Sequence, residues 1–186
     1  MKISKKNSGF SFLETIISVF LISIGMIAVV GLMVNALRES MDSRDQVVAT
    51  LLSQEGIELV RNLRDNNWVN DRDSFDSSVG FPNSSRSDCR IDSTVSAISC
   101  GSGSFVLKLG DEGGDSRYRK LYSYNHGNDT KFQRKLYINY DNDSEKNMAE
   151  ITSMVAWGDN FPAFNECNSF NKCAYTKTTL GRWGGN

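Results

Sequence analysis

Glu14 sits in the most unusual setting of any reactive side chain here: it is the lone charge between Phe10 and Val34. A carboxylate in apolar surroundings needs a cation or hydrogen-bond donors. Facing lipid unpaired, it would cost about a few kcal/mol. Other groups with chemical potential are scattered. His126 is the only histidine, so a multi-histidine metal site within one chain is ruled out, and its neighbours Asn125, Gly127, Asn128 and Asp129 read as a turn. Asp141-x-Asp143-x-Glu145 and Asp71-x-Asp73-x-x-Asp76 gather oxygens as calcium loops do. Neither follows the EF-hand pattern, so solvated turns are expected and no metal site. Arg117-Tyr118-Arg119-Lys120 and Lys131-Phe132-x-Arg134-Lys135 mix cations with aromatics, as a strand-binding nucleic-acid surface would. The formal charge of −1, from 21 basic and 22 acidic residues, argues against nucleic acid as a partner, and these cations read as strand residues facing water. There is no Walker loop, no dinucleotide turn and no His-Glu-x-x-His. Gly101-x-Gly103 precedes a strand-like segment, not a helix. The sequence is therefore read as a non-enzyme with no cofactor.

The elements that carry these residues divide the chain sharply. Its 186 residues fit one small domain with an appendage. With 39% hydrophobic and 23% charged residues it is too apolar to be wholly disordered. Residues 15–37 carry no charge at all, and Lys2, Lys5 and Lys6 precede them. The 20 residues from Thr15 to Val34 span about 30 Å as a helix, the thickness of a bilayer core. Leading lysines put the N-terminus in the cytoplasm and the rest outside. A cleaved secretory signal has a shorter apolar run that ends in a small-residue site. A plain membrane anchor leaves Glu14 unexplained, and a buried core helix leaves the lysine-rich leader unexplained.

The string Gly9-Phe10-Ser11-Phe12-Leu13-Glu14 resembles the type IV prepilin (class III) signal. Phe12 replaces the commoner Leu, a mild departure. The resemblance implies that residues 1–9 are a leader and that a prepilin peptidase cuts after Gly9. It implies N-methylation of Phe10 as the mature N-terminus, and retention of the apolar helix. It further implies that Glu14 pairs with the N-terminal ammonium of a neighbouring subunit during assembly. Losing three lysines takes the formal charge from −1 to −4. Partners implied are other pilin subunits, the peptidase and the inner-membrane assembly machinery, with its ATPase and platform protein. The protein would be held in the inner membrane by a single span and later enter an extracellular filament. Ser23–Met26 and the segment from Gln54 to Trp68 are similar to minor pilins. A pseudopilin of a type II secretion system is the alternative, and a membrane-anchored binding domain that never polymerises is the rival outside the class.

Beyond Val34 the pattern turns amphipathic. Val48, Leu52, Leu59 and Leu63 step by 4, 7 and 4, widened by Val47, Leu51 and Val60. A helix from Phe10 to Trp68 would be about 90 Å long, with residues 10–35 as its membrane and assembly half and 36–68 as its amphipathic half. Arg61, Arg64 and Asp65 read as surface or intersubunit ion-pair groups. Residues 69–186 form the head, with 70–103 read as a variable loop. Strands are expected at Ser104–Leu109, Tyr118–Tyr124, Phe132–Tyr140, Ala149–Trp157 and Ala174–Trp183. Short turns between them, at Gly110–Gly114 and Asp141–Asn147 among others, suggest an antiparallel meander. The fold class is α+β, pilin-like: a long N-terminal helix packed on a small antiparallel sheet. Cys89, Cys100, Cys167 and Cys173 allow three pairings. An extracytoplasmic head favours disulfides, and Cys89–Cys100 with Cys167–Cys173 would close short local loops. Zinc fits these spacings poorly. The second pair resembles the disulfide-bounded C-terminal loop of many pilins.

Overall fold

The computed structural model describes residues 11–93, 97–101, 103–111, 119–158 and 160–183. Gly9 and Phe10, most of the expected Gly110–Gly114 turn, and Arg117 and Tyr118 lie outside the described residues. One helix, α1, runs Phe12–Val69, and seven strands follow among the described residues. The chain divides into two compact units, residues 1–43 and 44–186, with the boundary inside α1.

In the first unit every described residue is exposed. Its apolar run is long and apolar enough to cross a membrane, and none of its most apolar stretch is buried within the protein. Its hydroxyls turn onto the helix's own carbonyls: Ser18 Oγ donates to Glu14 O and Ser23 Oγ to Val19 O, both at 2.7 Å. Such back-bonding satisfies a polar side chain without water, as a helix in lipid requires.

In the second unit, α1 buries Ala49, Leu52, Ser53, Gly56, Ile57, Val60, Leu63, Arg64 and Asn67. This face is rotated from the expected stripe. Val47 and Leu51 are exposed and Val48 and Leu59 only half-buried, while small residues occupy the centre. The reason is close approach. A Cβ at Gly56 would lie 2.4 Å from Ser153 Oγ and 3.3 Å from Arg134 Cδ, so only glycine lets helix and sheet meet at this point.

The strands are β1 (Arg86–Arg90), β2 (Ser99–Cys100), β3 (Val106–Leu109), β4 (Tyr122–Ser123), β5 (Asn128–Tyr140), β6 (Met148–Ala156) and β7 (Cys173–Gly181). All pairings are antiparallel. Only β5, β6 and β7 form a meander. The other edge of β5 is shared: β3 pairs residues 128–133 and β1 pairs Leu136 and Ile138. β2 and β4 extend β1 and β3. The simple sequential meander expected from the sequence is thus corrected, and so is the loop assigned to 70–103. That segment supplies β1 and β2 and buries Phe75, Phe81, Ile91 and Ile98. Arg86-Ser-Asp-Cys-Arg90 has no apolar alternation, and only Cys89 of this strand is fully buried.

The core lies between α1 and the inner sheet face. One end joins Ile57, Val60 and Leu63 to Leu136, Ile138, Ile151 and Leu180. The other joins Ala49 and Leu52 to Leu107, Phe132, Val155 and Trp157. Each fully buried aliphatic side chain contributes about 1.5–3 kcal/mol. Met154, Ala156 and Cys173 form a smaller cluster on the outer face under Tyr137, Phe161 and Cys167.

Candidate functional site

The helix starts just before Glu14, the one charge between Phe10 and Val34. Ser11 O accepts from Glu14 N at 2.9 Å and from Thr15 N at 3.2 Å, and Thr15 Oγ1 caps back onto Phe12 O at 2.7 Å. Glu14 therefore stands in the first turn, where the helix dipole favours a carboxylate. Its side chain is exposed.

A family model for the prokaryotic N-terminal methylation motif matches residues 4–30. The match supports a type IV prepilin-like protein. It covers Ser4 to Gly9, the Gly9–Phe10 bond, Glu14 and most of the apolar run. No curated protein and no solved structure matches the chain.

The head places the remaining candidate residues. Cys89 faces Cys100 across the β1–β2 pair and their sulfurs are bonded, with Cα atoms 4.0 Å apart. Cys167 and Cys173 are bonded with Cα atoms 5.2 Å apart, closing the loop that enters β7. His126 is exposed in the turn after β4, where its N–H donates to Ser123 Oγ at 2.9 Å. The clustered carboxylates are occupied by the main chain and by cations. Asp141 Oδ1 accepts from Met148 N at 3.0 Å, and these main-chain donors hold its carboxyl below the usual carboxylate range. Asp76 caps the 3-10 turn Ser77–Val79 through Ser78 N and Oγ, which lowers its pKa in the same way. Asp143 accepts from Ser85, and Asp73 pairs with Arg182 at 2.6 Å. Among the described residues no group of three or more His, Cys, Asp or Glu is arranged to hold a metal.

The second cation cluster is corrected most. Lys131 pairs with Asp45 of α1. Lys135 lies between the rings of Phe105 and Phe161, 4.6 and 4.7 Å from their centroids. Arg134 does not face water at all; it is fully buried. Nη1 donates to Leu52 O at 3.0 Å and lies 3.4 Å from Glu55 Oε1; Nη2 donates to Ile91 O at 2.7 Å. Nε meets Tyr124 Oη at 3.3 Å, and that hydroxyl donates to Arg134 O at 3.0 Å. Burial disfavours the charge, but Tyr124 and Glu55 outweigh it and the pKa of Arg134 is raised. Burial likewise pushes the Tyr124 phenol up. Sequence reasoning misses this group although its signal is present. Arg134 alternates in step with Phe132, Leu136, Ile138 and Tyr140, all of which face inward. Arg64, expected at the surface, is also buried, with Asp65 Oδ1 2.7 Å away and the Trp183 ring at 5.2 Å.

Proposed function

We propose that this chain is a minor-pilin-type structural subunit of a type IV pilus or related filament. It is cut after Gly9 by a prepilin peptidase, N-methylated on Phe10 and assembled through α1. The observation that carries the reading is the methylation motif at 4–30, which overlaps an apolar helical run long enough to cross a membrane. A motif of this kind supports a pilin or pseudopilin substrate of the peptidase and points to a structural protein.

The mechanism follows from electrostatics. Cleavage creates an ammonium at Phe10, and Glu14 lies within the apolar run, where an unpaired carboxylate is unfavourable. Docking an incoming subunit so that its Glu14 meets a neighbour's N-terminal ammonium neutralises both charges in a low-dielectric setting, where attraction is strong. Out-of-register docking leaves both unpaired, so the pair selects the axial step. In this reading residues 10–35 sit in the inner membrane before assembly, with the head on the extracytoplasmic side.

Intact mass and N-terminal sequencing of protein made with a prepilin peptidase test this reading. A chain that starts at methylated Phe10 is the expected result. A Met1 start, with the peptidase active on a control substrate, refutes it. Co-sedimentation with sheared surface filaments then separates a pilus subunit from a secretion pseudopilin.

A further inference from the structure

β6 ends and β7 begins at the end of the head where α1 enters it. There Ala49 and Leu52 pack with Val155, Trp157 and Ala174. Further along α1, Ile57, Val60 and Leu63 pack with Ile151 and Leu180. The connection from β6 to β7 therefore leaves and rejoins the sheet at the entry end. Its middle folds back on the outer face, with the Phe164 ring against Tyr137 and Tyr175. Its last part is a tight loop closed by Cys167–Cys173.

This loop carries Phe170, which is exposed at 94%, more than any other described large apolar side chain. The ring does not hang on a loose segment. Cys173 N donates to Asn168 O at 3.1 Å and Lys172 N to Ser169 O at 3.2 Å. Asn171 N donates to Asn168 Oδ1 at 2.9 Å, and Asn171 Nδ2 to Glu166 O at 2.6 Å. Trp157 N donates to Lys172 O at 2.9 Å and ties the loop to the end of β6. A loop closed in this way presents an aromatic ring with little further loss of entropy. It also serves polar groups of its own main chain, as a segment that meets a bilayer must. Two residues on, Lys172 is exposed as well.

We propose that this loop is a second membrane contact of the chain. Phe170 seats at the headgroup–acyl boundary of the bilayer that α1 crosses, and the Lys172 ammonium meets lipid phosphates beside it. The length of the intervening chain argues for lipid as the occupant. With residues 10–35 in the membrane, only residues 36–43 separate the span from the head. As part of α1 they rise about 12 Å. The headgroup layer of one leaflet is itself about 5–8 Å deep. The entry end of the head is thus tethered within reach of a bilayer surface, and Phe170 is on that end. Trp68 and Trp183 are also exposed, but they meet at the opposite end, where α1 stops. An aromatic ring flanked by a cation suits the boundary zone, with the ring below the phosphates and the ammonium among them. A single ring makes a reversible contact, which the subunit gives up on leaving the membrane. The inference rests on the membrane reading of residues 10–35 and not on cleavage after Gly9.

Tryptophan fluorescence of the full chain in vesicles tests the contact. The vesicles are phosphatidylethanolamine and phosphatidylglycerol with acyl chains brominated near the headgroup, which quench a nearby indole. Phe170→Trp adds an indole on the loop. Met148→Trp adds one at the opposite end of the sheet, facing Gly181. Both positions are exposed, so neither variant should shift the melting midpoint. With the ring at the boundary, the fluorescence that Phe170→Trp adds over wild type is expected to fall about two-fold or more in brominated vesicles. The fluorescence that Met148→Trp adds should stay unchanged. Equal quenching at the two positions, or none at 170, overturns the proposal. Absence of quenching together with loss of Phe170→Ser from sheared filaments assigns the ring to a neighbouring subunit instead. Flotation of the same samples separates this contact from the membrane reading. A chain that floats with the vesicles but is not quenched at 170 keeps α1 in the membrane and removes the loop contact. A chain that does not float overturns both.

Discussion

The Arg134 guanidinium on the central strand donates to the main-chain carbonyl of Leu52 on the helix at 3.0 Å, with neither group open to water. A mid-helix carbonyl already serves its own helix, so this bond gives α1 a fixed axial position on the sheet. Apolar contacts alone would allow sliding. Truncation leaves Leu52 O, Ile91 O and the Tyr124 hydroxyl without their charged donor. Arg134→Ala should therefore destabilise the protein by about 3–5 kcal/mol in denaturant melts. Glu55 is partly exposed, so Glu55→Gln should cost about 1 kcal/mol or less. Equal effects of the two variants would contradict the assignment.

Gly56→Ala should destabilise despite the gain in helix propensity of about 1 kcal/mol. The new methyl group meets Ser153 Oγ at 2.4 Å and Ser153 Cβ at 3.2 Å, and overpacking of this kind costs about 1–3 kcal/mol. Ser153 Oγ is buried and has no hydrogen-bond partner among the described residues. Ser153→Ala alone should thus leave the melting temperature unchanged or raise it. A marked loss would mean that the hydroxyl is satisfied after all.

Glu14→Ala should leave processing after Gly9 intact and deplete the subunit from sheared filaments at least ten-fold. Mass spectrometry reads the first outcome and immunoblotting of the pellet the second. Normal incorporation of the variant would remove the neutralisation mechanism.

Non-reducing peptide mapping should recover Cys89 linked to Cys100 and Cys167 linked to Cys173. Replacing the first pair by serines should cost about 2–4 kcal/mol, the usual range for closing a short loop. Four free thiols in protein taken from the cell surface would be the contrary result.

Acid should loosen the β5–β6 turn. The Asp141 carboxyl titrates below its ordinary value of 3.8 because Met148 N and other main-chain donors favour its charged form. That contribution is complete above the unfolded pKa and is lost as pH falls through the lower, folded one. Faster exchange of the Met148 amide below about pH 4, relative to an Asp141→Asn control, is the expected observation.

Several of these features are legible in the order of the amino acids alone. Proline-free apolar periodicity delimits α1 to within two residues of Phe12–Val69, and alternation finds β5, β6 and β7. The rotated face of α1 is not legible, because its contact residues, Ala49, Ser53 and Gly56, are small, and hydropathy gives weight to size. β1 escapes because a polar strand is recognisable only through its partner. Arg134 is legible by parity, but its charge argues for the surface. The Gly9–Phe10–Glu14 constellation is different in kind. The meaning proposed for it lies in a peptidase and a neighbouring subunit, which no folding rule within one chain encodes.

The divided edge of β5 gives the head a modular character. The β5–β6–β7 meander and α1 hold one another in place, while the β1–β2 and β3–β4 hairpins each attach to their own half of the remaining edge. Either hairpin can lengthen, shorten or change its tip without altering the register of the other. Related chains are expected to diverge fastest at those two attachments and to keep the meander nearly constant in length.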